Sequence, residues 1–214
     1  MREIGKKIAF FGTYYQVLEV VHRRLGISLV VVESGKISSE VKNFCRSNNI
    51  RCVEIVELDD SIDELRLSGV SIGIVASFGL IFKTRHINLF SEIFNFHPGC
   101  IFTNRGRHPL PNAIRLGMKN MSISLHKITD ENIDAGEFIA KFDLPINYDR
   151  GYSWNQDCLL ASLPWLAMHL CDVIATGNLS TYRLPLEDSN YYPPMTKEDL
   201  VVITRSDCLK EWKA

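Results

Sequence analysis

Two polar side chains stand where a buried strand should be apolar. In Ile93-Phe94-Asn95-Phe96-His97, Asn95 and His97 alternate with aromatic rings, just before Pro98-Gly99 ends the run. Two residues apart on a strand, they share one face. Downstream, Asp134 lies in a polar stretch beside Ala135-Gly136, small neighbours that let it approach a strand-end cleft. Amide, imidazole and carboxylate together suit acyl transfer to an amine. The amide donates to a carbonyl oxygen that gains negative charge, and the imidazole donates too or moves a proton. The carboxylate orients the imidazole, stabilises positive charge on the attacking amine, and takes its proton directly or through water. One oxyanion donor of this kind is worth roughly 3–4 kcal/mol in the transition state. The amine itself attacks, so no covalent nucleophile is needed. Each residue alone has a plainer reading: a satisfied strand histidine, a turn aspartate. Their weight comes from occurring as an ordered set.

Such a set needs a scaffold that ends several elements at one place. Lys7-Ile8-Ala9-Phe10-Phe11 reads as a buried strand ending at Gly12, and Tyr15 to Leu25 as a helix with Val17, Val20, Val21 and Leu25 on one face. Ile27 to Val32 is β-branched and reads as a second strand. Ser38 or Ser39 caps a helix carrying Val41, Phe44 and Cys45 inward. Residues 52–56 and 70–77 read as further strands. This alternation predicts an α/β fold: a Rossmann-like, mostly parallel sheet with helices on both faces, in which ligands gather at the carboxyl ends of the strands. After the 93–97 strand come a loop (100–108) and a short helix at Pro109–Leu116. An alternating strand follows at Ser122–Ile128, then the polar loop Thr129–Gly136 and a strand at Phe138–Pro145. A long helix from Ser153 to Thr176 should be kinked or split at Pro164. Its stripe is Leu159, Leu163, Leu166, Leu170 and Val173. Residues 178–197 read as surface chain, and 198–212 as holding a short closing helix.

The 214 residues suffice for one sizeable core, here a catalytic domain over 1–180 with a C-terminal surface extension, 181–214, packed on it. Hydrophobic residues at 46% and charged residues at 23% fit a soluble globular chain. No run approaches the ~20 consecutive apolar residues of a membrane span, and a net charge of −1 does not favour a nucleic-acid partner. The start, Met1 to Lys7, shows no signal peptide, so a cytoplasmic location is expected. Six scattered cysteines, none in C-x-x-C, are expected to be buried free thiols, and no zinc spacing occurs. No G-x-G-x-x-G follows the first strand, which argues against a dinucleotide-dependent dehydrogenase.

Taken together, Phe94-Asn95-Phe96-His97-Pro98-Gly99, Asn104-Arg105-Gly106 and Ile133-Asp134-Ala135-Gly136-Glu137 resemble the formyltetrahydrofolate-dependent formyltransferases. So do Ala76 to Phe82 and Ser122 to His126, and the likeness runs from about Ile74 to Ile174. It implies the formyltransferase fold, 10-formyltetrahydrofolate as formyl donor, no metal, and Asn95, His97 and Asp134 as the catalytic residues. The donor's pterin would lie against Phe78, Gly79, Leu80, Ile81 and Phe82, and against Thr129, Asp130 and Ile133. Asn104, Arg105, Gly106 and Arg107 are candidates for the acceptor's diphosphate or sugar, since guanidinium groups match phosphate oxygens. His108, Tyr14 and Tyr15 are candidates for stacking. The Gly after His-Pro and the Asn-Arg-Gly resemble most the sugar N-formyltransferases, although Arg107 replaces a tryptophan frequent there. The His126–Asp134 interval is one residue longer than usual, with Asn132 the extra one. The implied acceptor is the primary amine of a nucleotide-linked amino sugar, in lipopolysaccharide or other surface-polysaccharide biosynthesis. Three alternatives stay open: glycinamide ribonucleotide, an aminoacyl group, or a non-catalytic folate or nucleotide binder. Against the first, Gly12-Thr13-Tyr14-Tyr15-Gln16 is no Gly/Ser-rich phosphate loop. Against the second, the chain is expected to be too short for an added RNA-binding domain. Trp154, Trp165 and Met168 lie off the long helix's stripe and imply a second packed face, in a homodimer or beneath the C-terminal segment.

Overall fold

The alternation of apolar and amphipathic segments resolves into nine strands and eight helices in a computed structural model that describes residues 7–183 and 185–213. The reading of the N-terminus rests on residues 1–6, which lie outside the described residues. The strands are β1 (Ile8–Gly12), β2 (Leu29–Glu33), β3 (Arg51–Ile55), β4 (Ile72–Ala76), β5 (Glu92–His97), β6 (Arg105–Gly106), β7 (Asn120–Lys127), β8 (Glu137–Pro145) and β9 (Tyr191–Tyr192). The helices are α1 (Tyr15–Leu25), α2 (Ser39–Ser47), α3 (Ile62–Ser68), α4 (Thr84–Ile87), α5 (Pro109–Arg115), α6 (Tyr152–Ala161), α7 (Leu163–Thr176) and α8 (Lys197–Thr204). Seven strands form one sheet in the order β3-β2-β1-β4-β5-β7-β8. The first five run parallel, and β7 and β8 close it antiparallel.

The period of two along each strand divides the core. On β1, Ile8 and Phe10 join α1, α2, α5, α6, α7 and α8 on one face, while Ala9 and Phe11 join α3 and α4 on the other. Strands covered on both sides must be apolar at every position, which is why β1 and β4 are buried throughout. The α1 face is Val17, Leu18 and Val21, with Val20 and Leu25 only partly buried. Ser38 caps α2 by accepting the Val41 N–H at 3.3 Å.

The long C-terminal helix is split, as Pro164 predicts. Ser162 separates α6 from α7, and Pro164 falls in the first turn of α7, where a missing N–H costs nothing. All five residues of the stripe are buried. Taken as one piece, Tyr152–Thr176 is long and apolar enough to cross a membrane, which a count of consecutive apolar residues overlooked; half of it is buried inside the protein. Trp154 and Trp165 stay exposed, the latter at 64%, so the C-terminal segment does not cover them. The cysteine expectation holds only in part: Cys45 and Cys171 are buried, Cys208 is exposed, and all six are free.

Two features were absent from the sequence reading. β6 lies inside the expected 100–108 loop and pairs in parallel with β9, in the segment expected to be surface chain. Ile203 and Leu209, further on, are fully buried in the core.

Candidate active site

β4 and β5 end side by side, and β7 runs back beside β5, so three strand ends meet one opening. Register does the rest. Asn95 pairs with His126 and His97 with Ser124 across β5 and β7. β8 carries a bulge opposite Leu125 and His126, and the loop between β7 and β8 carries Asp134. Asp134 sits at φ 49°, a left-handed conformation that an aspartate tolerates better than most residues. Asp134 reaches the strand ends, and the Asp130 carboxylate accepts the Asn132 N–H at 2.9 Å and tightens the loop.

The three expected residues converge. Asn95 Nδ2 donates to Asp134 Oδ1 at 3.2 Å, and His97 Nδ1 lies 3.3 Å from Asp134 Oδ2. The other nitrogen of His97, Nε2, donates to the Asn104 carbonyl at 3.0 Å. The Gly106 N–H donates to Asp134 Oδ2 at 3.1 Å. Sequence reasoning missed a fourth member, His126. It is 1% exposed, and its Nε2 lies 3.0 Å from Asn95 Nδ2 and 3.6 Å from Asp134 Oδ1. A clue was available: His126 is a polar residue inside an otherwise buried strand, in the register that faces Asn95.

Burial alone would push the Asp134 carboxyl up. The neighbouring His97 charge, a hydrogen bond and charge from His126, and the Gly106 N–H outweigh it and hold the carboxyl at about 2. Asp134 is therefore an anion at any working pH. Its strength lies in holding positive charge and orienting imidazoles, more than in keeping a proton. The cluster can meet a carbonyl oxygen with the Asn95 amide and an imidazole N–H, and can stabilise a cationic amine with the carboxylate.

These groups line one end of a cavity of about 660 Å³. Every residue from Phe78 to Phe82 lines it, as do Asp130 and Ile133. Thr129 does not, and its hydroxyl is buried without a partner among the described residues. The loop that carries Asp130 to Ile133 is tied to the start of α4, just after Phe82, where Glu131 accepts both the backbone N–H and the hydroxyl of Thr84, each at 2.7 Å. On the other side, Gly106, Arg107, His108 and Tyr14 line the cavity. Burial, then the nearby Tyr152, push the Tyr14 phenol up to about 12, so it is neutral. Burial and then Arg107 push His108 down, which suits its ring Nδ1 accepting the Met195 N–H. Tyr15 packs edge-on against Phe44 instead of facing the cavity.

Two expected acceptor contacts need correction. Asn104 is buried, and its amide donates to the Pro109 carbonyl at 2.6 Å, so it braces the loop and does not line the cavity. Arg105 also lies off the cavity wall; its guanidinium donates to the Ile133 carbonyl and stands over the Tyr191 ring. Only Gly106 and Arg107 of that group face the opening, and Arg107 donates to the Gly79 carbonyl at 3.0 Å. Residues 29–153, over half the chain, match the family model described as formyl transferase.

The chain belongs to that family.

Its likeness to individual formyltransferases spreads over several acceptors. A methionyl-tRNA formyltransferase of Pseudothermotoga lettingae is 27% identical over 175 residues, covering 80% of this chain and 55% of the relative. This chain spans about half the length of the curated relatives it matches. The fold matches the N-formyltransferase from Helicobacter canadensis, solved with folinic acid and dTDP-3-aminofucose: TM-score 0.68, 17% identity, 92% of this chain and 72% of that one. It also matches the phosphoribosylglycinamide formyltransferase from Bacillus halodurans, with TM-score 0.71, 15% identity, and 81% and 97% of the two chains.

Proposed function

We propose that this protein transfers a formyl group from 10-formyltetrahydrofolate to a primary amine, and that the amine belongs to a nucleotide-linked amino sugar. The observation that carries the reading is the meeting of Asn95, His97 and Asp134 on the wall of one cavity.

The residues present fit the donor. Between Leu80, Phe82 and Ile128 on one side and the 130–133 backbone on the other, the cavity offers an apolar slot with polar edges, as a flat heterocycle rimmed by amide-like groups requires. Bound there, the donor supplies an activated formyl carbon. This chain's residues do the rest. Asn95 and an imidazole N–H hold the carbonyl oxygen as it gains charge. Asp134 steadies the amine as it becomes cationic, and the imidazoles pass its proton to the donor nitrogen, which leaves as its bond to the formyl carbon breaks.

The acceptor rests on narrower grounds. A phosphate can sit where a first strand feeds a helix, on free backbone N–H groups. Here the Thr13 and Tyr14 N–H groups both donate to the Ala76 carbonyl, at 3.0 and 3.3 Å. That removes two of the donors such a phosphate would use at this turn. The sequence relatives support a second reading, an aminoacyl group on tRNA.

A panel decides: an amino-sugar nucleotide, glycinamide ribonucleotide and methionyl-tRNA, each incubated with 10-formyltetrahydrofolate and read by mass spectrometry. Formylation of the sugar nucleotide alone is expected, with a rate that rises with pH as the amine loses its proton. Exclusive formylation of methionyl-tRNA would overturn the sugar reading, and no product with any amine would overturn the enzyme.

A further inference from the structure

The C-terminal segment enters the site through Tyr191 and Pro194. β9 pairs with β6, Tyr191 opposite Arg105 and Tyr192 opposite Gly106. Asn190 seals the join: its N–H donates to the Phe102 carbonyl and its carbonyl accepts the Arg105 N–H. The fit is close. Gly106 has φ +101°, and a Cβ there would overlap the Tyr192 carbonyl oxygen and lie 3.0 Å from Tyr191 Cε2. Gly106 is also the residue whose N–H holds Asp134. The Tyr191 ring edge therefore stands within about 9 Å of the Asp134 carboxylate, given ordinary bond lengths. Arg105 stands over this ring, its guanidinium carbon 5.8 Å from the centroid. The ring lines the cavity and is 45% exposed.

An exposed aromatic surface this near the reacting groups meets the part of the acceptor that bears the amine. A nucleobase, separated from that amine by a sugar and a diphosphate, lies too far away. A pyranose presents a face of C–H bonds, which packs well on an aromatic ring. We propose that Tyr191 is a specificity-determining residue for the acceptor: its ring is the wall on which the amine-bearing sugar ring lies, while the donor binds without it. Arg105 fixes the ring's tilt, and β6–β9 pairing fixes its distance from Asp134. This inference rests on the amino-sugar reading above.

The test compares wild type, Tyr191→Ala and Tyr191→Phe. Steady-state kinetics are run with an amino-sugar nucleotide, and donor binding is followed by fluorescence titration with 5-formyltetrahydrofolate, which does not react. Tyr191→Ala should raise the acceptor KM at least tenfold while the donor Kd stays within twofold of wild type. Tyr191→Phe, which keeps the ring and loses the hydroxyl, should restore the acceptor KM to within threefold. An unchanged acceptor KM in Tyr191→Ala overturns the proposal and leaves the amino-sugar reading intact. A donor Kd weakened as much as the acceptor KM overturns it as well, since the ring would then support the whole cavity. If wild type formylates no amino-sugar nucleotide, the functional reading fails and this inference falls with it.

Discussion

Replacing Asp134 with asparagine separates charge from shape. The amide fills the same volume and can still accept the Gly106 N–H, now 3.1 Å from Oδ2. What disappears is a full negative charge within 3.3 Å of His97 and 3.6 Å of His126. An amine turning cationic at about 4–5 Å from that carboxylate, with an effective dielectric constant of about 20, gains roughly 3–4 kcal/mol from it. Each 1.36 kcal/mol is about a factor of ten in rate, so kcat should fall about 10²–10³-fold. With the donor placed as proposed, along Phe78–Phe82 and the 130–133 stretch, donor affinity should hardly change. The pH profile adds a second reading. A carboxyl held at about 2 is already ionised above pH 4, so the wild-type activity limb between pH 5 and 9 belongs to other groups. The asparagine variant should show the same limb at reduced height. Single-turnover formylation with saturating donor measures both. A kcat within tenfold of wild type, or a wild-type acid limb that vanishes in the variant, would refute the electrostatic role.

Asp134 also ties stability to pH: its folded value lies below the usual 3.8, so ionisation favours the folded state by about 2 kcal/mol above pH 4. That contribution should drain away as pH falls from about 4 towards 2, and urea denaturation at pH 7, 4 and 2.5 should show it shrinking in wild type but not in Asp134→Asn. Gly106→Ala should cost roughly 1–3 kcal/mol from its positive φ alone, and, because the new Cβ displaces Tyr192, should lower kcat/KM at least tenfold by kinetic assay. Asn104→Ala removes the brace on the Pro109 carbonyl and should lower stability by about 1–3 kcal/mol in denaturant titration, with acceptor KM within twofold. Ser38→Ala, which removes the α2 cap far from the cavity, should cost about 1 kcal/mol in the same titration and leave kinetics alone.

The parallel half of the sheet was legible because β1, β2 and β4 are buried on both faces, so their apolar runs stand out against the helices between them. Gly26 after Leu25, Ser38 before α2 and Pro164 before the α7 stripe marked element ends by backbone chemistry alone. What escaped was tertiary. β6 and β9 are two residues each, too short to carry a pattern, and they exist only because distant segments meet. His126 was hidden by the alternation of β7, in which a polar residue on one face looks like ordinary patterning until that face proves buried. Asn104 and Arg105 misled for the opposite reason. Polar residues in a loop read as solvent-facing, yet here they satisfy the carbonyls of Pro109 and Ile133. Asn95, His97 and Asp134 were readable because polar side chains at a buried strand end need partners.

The choice of acceptor turns on which polar groups the fold leaves free. At the β1–α1 turn the Ala76 carbonyl takes the Thr13 and Tyr14 N–H groups, and the neutral Tyr14 ring stands on the cavity wall beside them. The lysine and arginine side chains on that wall belong to Lys36 and Arg107, and Lys36 is already paired with Glu33 at 2.5 Å. Such a lining suits a ligand carrying one or two phosphates. A polynucleotide needs many phosphates neutralised at once, and a chain of net charge −1 offers little excess with which to do it. Selectivity then has to come from shape near the amine, and there the wall is Tyr191 set against Gly106. An acceptor whose amine hangs from a flexible chain would gain nothing from the face, so on this reasoning a truncated amine lacking the sugar ring should react slowly in wild type and no more slowly in Tyr191→Ala.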